Sequence, residues 1–294
     1  MQLVRPGPRL RANDVSVYVD ESIHDSYDFV VTAFVFASPG LDEAVSATLS
    51  SSGLAPGLDE FKSGVFMRTN PGMQQARNAL IGVLGERAKL AILITSARFR
   101  SELGDEILQA LREMISRNGL EKAPLTVYFD RGLFLSANQG HCLAGEIPSL
   151  APVNLKCEQD SRIILGLQVA DAAAHMCAQI LREGITGTRK QIDIGGGPDG
   201  LPQGTQVPLG SELLMSLRYS FFVRPFLIGR RPTAGETLMN PLVILNEEDE
   251  ELIMRTYHRP ELLGWGVFLS DDLGERVRTA SEESFSSLWL GCMH

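Results

Sequence analysis

"VSVYVDESIHDSYDFVVTAFVF", Val15–Phe36, holds two strand-like runs joined by a polar stretch, and its reading decides the fold class. Val15–Val19 alternates apolar residues with Ser16 and Tyr18, the period of two expected of a strand with one face toward a core. Phe29–Ala37 is almost continuously apolar and rich in valine and phenylalanine, which predicts a second strand buried on both faces. The first run closes on two carboxylates, Asp20 and Glu21. A pair of acids at the end of a strand asks for a physical reason.

Outward from this hairpin the pattern alternates. Leu41–Leu49 predicts a short helix stopped by the Ser-Ser-Ser-Gly breaker at 50–53, followed by a polar loop carrying "LDEFKSGVF", Leu58–Phe66. Asn70-Pro71 is an N-cap with proline in the first turn, and Met73, Ala76, Leu80 and Leu84 recur at helical spacing up to Gly85. Lys89–Ala97 reads as a strand, Glu102–Arg117 as a helix stopped by Asn118-Gly119, and "APLTVYFDRG" as a strand ending at Asp130. A weaker strand follows near Val153–Cys157, then a long helix interior, Ile163–Leu181, broken at Gly184. Such an order predicts an α/β sheet that starts antiparallel and continues parallel. Asp193–Gln206 is rich in glycine and proline; no Lys-Ser/Thr follows the glycines, so a flexible insertion fits better than a phosphate-binding loop. The organisation expected is a core over 1–184, a Gly/Pro-rich loop over 185–210, and a C-terminal extension over 211–294 that packs on the core or on a partner.

Composition bounds the function. With 294 residues, 44% hydrophobic, the chain can bury a sizeable core in one or two domains. The basic start lacks an apolar h-region and no run approaches the ~20 apolar residues of a membrane span, so a cytoplasmic, non-membrane protein is expected. Cys142, Cys157, Cys177 and Cys292 form no CxxC pair, which leaves a disulfide framework or a zinc site without support. A net charge of −9 argues against broad attraction to polyphosphate, so any nucleic-acid partner must be held locally.

Four acids occur in four different elements: Asp20 and Asp130 at strand ends, Glu60 in "DEFKSG", and Asp171 in the small-residue helix "LGLQVADAAAH". Hard divalent cations prefer oxygen ligands, and two of them about 3.5–4 Å apart can activate water and stabilise the leaving oxygen of a phosphodiester. Gln168, Asp171 and His175 share one helix face. Each residue also has a plainer reading: the aspartates as turn formers or caps, Glu60 as a loop acid paired with Lys62, and His24, His141 and His175 as surface or core-edge histidines.

The ordered pieces "VYVDES", "EFKSG", "VYFD" and "DSRIILGLQVADAAAH", spread over roughly residues 15–184, resemble the family known as domain of unknown function 3800. That resemblance implies a ribonuclease H-like fold, a five-stranded mixed sheet with flanking helices, carrying a C-terminal extension here. It implies a metal-binding set of Asp20, Glu60, Asp130 and Asp171, with Glu21, Lys62, Asp160 and Gln168 in support and Mg²⁺ or Mn²⁺ as cofactor. Ile23 stands where the family commonly has glycine, and Arg162 where it often has a small or polar residue.

The expectation that follows is a metal-dependent nuclease acting on RNA, DNA or a hybrid. A non-catalytic nucleic-acid or protein-interaction module on the same scaffold, and a small-molecule phosphohydrolase, are the alternatives. "RYSFFVRPFLIGRR" interleaves Arg218, Arg224, Arg230 and Arg231 with aromatics as a candidate nucleic-acid contact, against the plainer reading of a hydrophobic segment with arginines at its solvent edge. The aromatic-rich tail predicts real structure that caps the sheet or forms a homo-oligomer contact.

Overall fold

The computed structural model describes residues 15–65, 69–118, 120–194, 202–218, 220–222 and 266–290. Strands β1 (Val15–His24) and β2 (Phe29–Ala37) form an antiparallel hairpin, closed by a 3-10 turn at Asp25–Tyr27 and by Asp28 in the left-handed region. Helices α1 (Leu41–Ser51) and α2 (Pro71–Arg87) lead to β3 (Ala88–Thr95), antiparallel to β2. Then come α3 (Leu103–Arg117), β4 (Leu125–Asp130), α4 (Ala137–Gly145), β5 (Asn154–Gln159) and the long α5 (Gly166–Thr186). A small hairpin of β6 (Gln191–Asp193) and β7 (Gln206–Pro208) precedes α6 (Leu209–Leu217), and β8 (Val267–Leu269) precedes α7 (Glu275–Leu290).

The main sheet has six strands in the order β5-β4-β1-β2-β3-β8. β4 runs parallel to β1, β5 to β4 and β8 to β3, so the antiparallel trio is extended on both sides by parallel strands. The five strands expected from the sequence are all present. The sixth, β8, comes from the C-terminal region and covers the edge of β3. The described part of that region thus packs on the core.

The alternation of side chains sends Tyr18, Val31, Ala33 and Ile92 to one face of the sheet, under α1, α2, α5, α6 and α7. Val17, Val19, Phe34, Leu93, Val127 and Phe129 face the other way, under α3 and α4. β2 sits centrally and is buried at every residue, as its apolar run requires. Two boundaries differ from the sequence reading. β1 does not stop at Asp20 but pairs with β2 through His24. α5 passes through Gly184 and ends at Gly187, whose φ of 66° supplies the left-handed cap. Gly184 serves packing: a Cβ there would meet Ser284 Oγ of α7 at 2.7 Å. No described helix is long and apolar enough to cross a membrane.

Candidate functional site

Val19 of β1 is in register with Phe129 of β4, so the next residues, Asp20 and Asp130, stand level on neighbouring parallel strands about 4.8 Å apart. Two residues earlier Tyr18 and Tyr128 stack with ring centroids 5.4 Å apart, marking the same face. β4 ends at Asp130. Beyond that level β1 keeps β2 on one side and has no described strand on the other, which opens a notch where β4 ends beside the second half of β1. The reason for acids at 20 and 130 is thus positional: a rigid sheet holds both carboxylates at one level beside a gap.

Both are nearly buried, Asp20 at 7% and Asp130 at 9% exposure. Burial, then the negative charges of Glu21, Asp130 and Asp171, push the Asp20 carboxyl well above the usual range against one opposing hydrogen bond, 2.8 Å from the Glu21 backbone N–H. Burial likewise raises Asp130. Glu21 starts on the opposite sheet face, and its carboxyl, one oxygen of which is buried without a hydrogen-bond partner, is also raised, by burial first.

Helix α5 supplies the floor. Gly166 makes its approach feasible, because a Cβ there would lie 2.4 Å from the Tyr18 ring. Asp42 fixes the junction by accepting from the Gly166 backbone N–H at 2.6 Å and from the Tyr18 hydroxyl at 2.9 Å. Two residues on, buried Gln168 accepts from Phe61 N–H at 2.8 Å and donates to the Ser161 carbonyl at 2.8 Å. Asp171 accepts from Ser63 N–H at 2.9 Å and from the Ser63 hydroxyl. The Ser161 hydroxyl donates to Glu60, and Lys62 Nζ lies 2.7 Å from the same Glu60 oxygen. The loops around 60–63 and 160–162 are thereby tied to one helix face. Partial burial works to raise the Glu60 carboxyl, but the Lys62 and Ser161 hydrogen bonds outweigh it and hold it below the usual range.

At the rim, Asp160 accepts two side-chain hydrogen bonds from Arg162 and pairs with Arg131 at 3.0 Å, with Arg162 the main cause of its lowered carboxyl pKa. Asp160 is thus clamped by cations rather than turned to the Asp20–Asp130 notch. His175 sits one turn beyond Asp171, within the fields of Arg77, Arg182 and His24, and burial lowers it. Arg218 ends α6 near Ser220, whose carbonyl accepts from Leu90 of β3, two strands from β1. Arg224, Arg230 and Arg231 lie outside the described residues. No family model matches the chain, and no curated protein matches it.

Asp20, Asp130, Glu60 and Asp171 come from four elements and face one region: Asp171's charge is felt at both strand-end acids, and Glu60's at Asp130. Among the described residues no three His, Cys, Asp or Glu side chains form a ready-made ion cage. The side chains brought together offer only oxygen ligands with an excess of acid, a donor chemistry that would fit Mg²⁺ or Mn²⁺ better than zinc or copper. Asp20, Glu21 and Asp130 are the carboxyls least engaged by donors, whereas both Asp171 oxygens already hold Ser63. Ser63 and Ser161, which orient the acids, were not singled out in the sequence; the small hydroxyl residues in "KSG" and "DS" are the signal that marks them.

Proposed function

We propose that this chain is a divalent-metal-dependent nuclease of ribonuclease H-like architecture, related to the domain of unknown function 3800 family. The observation that carries the reading is that Asp20, in β1 just past the last residue paired with β4, stands level with Asp130 at the end of β4, both nearly buried and both raised. Acids on the first and fourth strands of the mixed sheet, with a third on α5, support the finer fold assignment.

In this reading Asp20 and Asp130 hold the ion, Glu60 completes the set from its loop, and Glu21 stands in reserve beside Asp20. Mg²⁺ or Mn²⁺ would supply Lewis acidity toward phosphoryl oxygens and positive charge for the leaving oxygen. Asp171 and Gln168 act through Ser63, Phe61 and Ser161, keeping Glu60 aimed at the notch. A bound cation would favour the charged form of Asp20, which burial and the neighbouring acids disfavour. Arg131 and Arg162, exposed and paired with Asp160, would have to exchange that carboxylate for a substrate phosphate.

The test is cleavage of single-stranded and duplex RNA and DNA oligonucleotides with Mn²⁺. Asp20→Asn and Asp130→Asn should each abolish it while the melting temperature stays level or rises, because each change removes a desolvated acid from a repelling group. Unchanged cleavage in both variants overturns the proposal. The engagement of Asp171 by Ser63 favours one competing reading, a binding-only module. Calorimetric titration with Mn²⁺ separates the two, since such a module has no need of high-occupancy ion binding.

A further inference from the structure

The backbone on either side of Lys62 is pinned. Phe61 N–H bonds Gln168, and Ser63 bonds Asp171 through both its N–H and its hydroxyl. The Lys62 side chain itself is half exposed and rides on four flexible methylenes, with its ammonium 2.7 Å from Glu60. It carries three donors in all, and its charge reaches Asp171 and Asp130 as well as Glu60. Arg131 and Arg162 pair with Asp160 at the rim, and Arg100 acts on Glu21 through its charge, so among these cations only Lys62 lies within ion-pair distance of Glu60. The carboxylates therefore have one cation that stands among them on a tether.

We infer that Lys62 is a built-in counter-ion, which holds the carboxylate group together while no divalent ion is bound and which an arriving ion must displace from Glu60. The inference rests on the metal-binding reading above. A lysine suits this task better than an arginine, because a compact ammonium on a mobile stem can leave one oxygen and reach another, whereas a guanidinium fork binds a carboxylate through two bonds at once. The pinned backbone keeps the released ammonium nearby, at the solvent-facing edge of the site, where an anionic substrate group is its next partner.

Isothermal titration with Mn²⁺ on the full chain tests this, comparing wild type with Lys62→Met and Lys62→Arg, with melting temperatures in EDTA as a second readout. Lys62→Met should bind Mn²⁺ roughly three- to tenfold more tightly, the range that follows from losing a partly exposed ion pair of up to about 1 kcal/mol together with weaker fields from neighbouring acids. It should also melt below wild type in EDTA and gain more from Mn²⁺. Lys62→Arg keeps the charge and should not gain affinity. Mn²⁺ affinity equal to or weaker than wild type in Lys62→Met overturns the counter-ion role while leaving the metal reading in place. If wild type and variants all fail to bind Mn²⁺, the metal reading falls and the inference falls with it.

Discussion

Asp20, Glu21 and Asp130 each hold a proton more firmly in the fold than in an unfolded chain, because burial and mutual repulsion disfavour their charged forms. A carboxyl raised on folding contributes stability that is full below its unfolded value, about 4, and is lost as pH climbs through the folded value. His24, lowered to about 4 chiefly by burial, and His175, also lowered, act in the opposite sense: their contribution is present above about 6.5 and lost as the solution turns acid. Wild-type melting alone mixes these effects, so the informative quantity is a difference. In EDTA, Asp20→Asn should melt above wild type at pH 8, and the gap should shrink as the pH falls and the wild-type carboxyl, whose charged form burial and its acidic neighbours disfavour, takes up its proton and comes to resemble asparagine. Each ~1 kcal/mol moves the melting temperature of a chain this size by roughly 2–4 °C, which a calorimeter resolves easily. A gap that stays constant with pH, or has the opposite sign, shows that Asp20 is not the strained acid described. The four acids were legible in the sequence because each ends a strand or interrupts an apolar or loop pattern. Their holders were not: Ser63 meets Asp171, and Ser161 meets Glu60, across more than a hundred residues, and no local pattern encodes which loop crosses which helix.

Local signals fix some elements and leave others open. Helix α2 was legible because Asn70 Oδ1 accepts the Met73 N–H at 3.2 Å and Pro71 opens the first turn, a start signal contained in four residues. The end of α5 was not, because Gly184 reads as a stop while its actual task is to let α7 approach, and Gly187 supplies the cap. Helix α4, with Gly140 inside it, lacks the periodicity that marks the longer helices; its glycine admits Cys157 Sγ, 2.7 Å from where a Cβ would sit. Glycines of the two kinds give a matched prediction. Gly166→Ala drives a methyl into the Tyr18 ring at the first turn of α5, an overpacking change that costs about 1–3 kcal/mol and tilts the face bearing Gln168 and Asp171. Gly82→Ala in α2 meets nothing within 4 Å and should stabilise by about 0.5–1 kcal/mol through helix propensity. Thermal denaturation of the two variants should therefore move in opposite directions. Equal shifts would mean that α5 does not rest on Tyr18 as closely as described.

At the scale of the whole molecule, the C-terminal region decides whether the site has a scaffold. β8 pairs with β3 and hides an edge that would otherwise present unpaired backbone groups, and α7 lies on α5 toward its C-terminal end, at Gly184 and Ile185. Val267, Leu269, Leu273, Val277, Ala280 and Phe285 are all buried there, alongside Leu213, Leu214, Leu217 and Phe221 from α6 and the residues after it. Fully burying one large apolar side chain is worth about 1.5–3 kcal/mol, while a domain's whole net stability is about 5–15 kcal/mol. Removing such a set exceeds what the rest of the fold holds in reserve, even though every candidate acid lies before residue 187. A shortened chain of residues 15–187 should therefore fail to melt cooperatively by circular dichroism and should expose apolar surface to a hydrophobic dye, whereas a chain of residues 15–294 should give a single sharp transition. The physical cause is specific: α5 is apolar on most of its circumference, with Met176, Cys177, Ile180 and Leu181 all buried, so it needs partners on the side away from the sheet as well as on the sheet itself. A sharp transition in the shortened chain, with Mn²⁺ affinity equal to that of the longer one, would instead make the first 187 residues a self-sufficient unit and reduce β8 and α7 to an accessory cover.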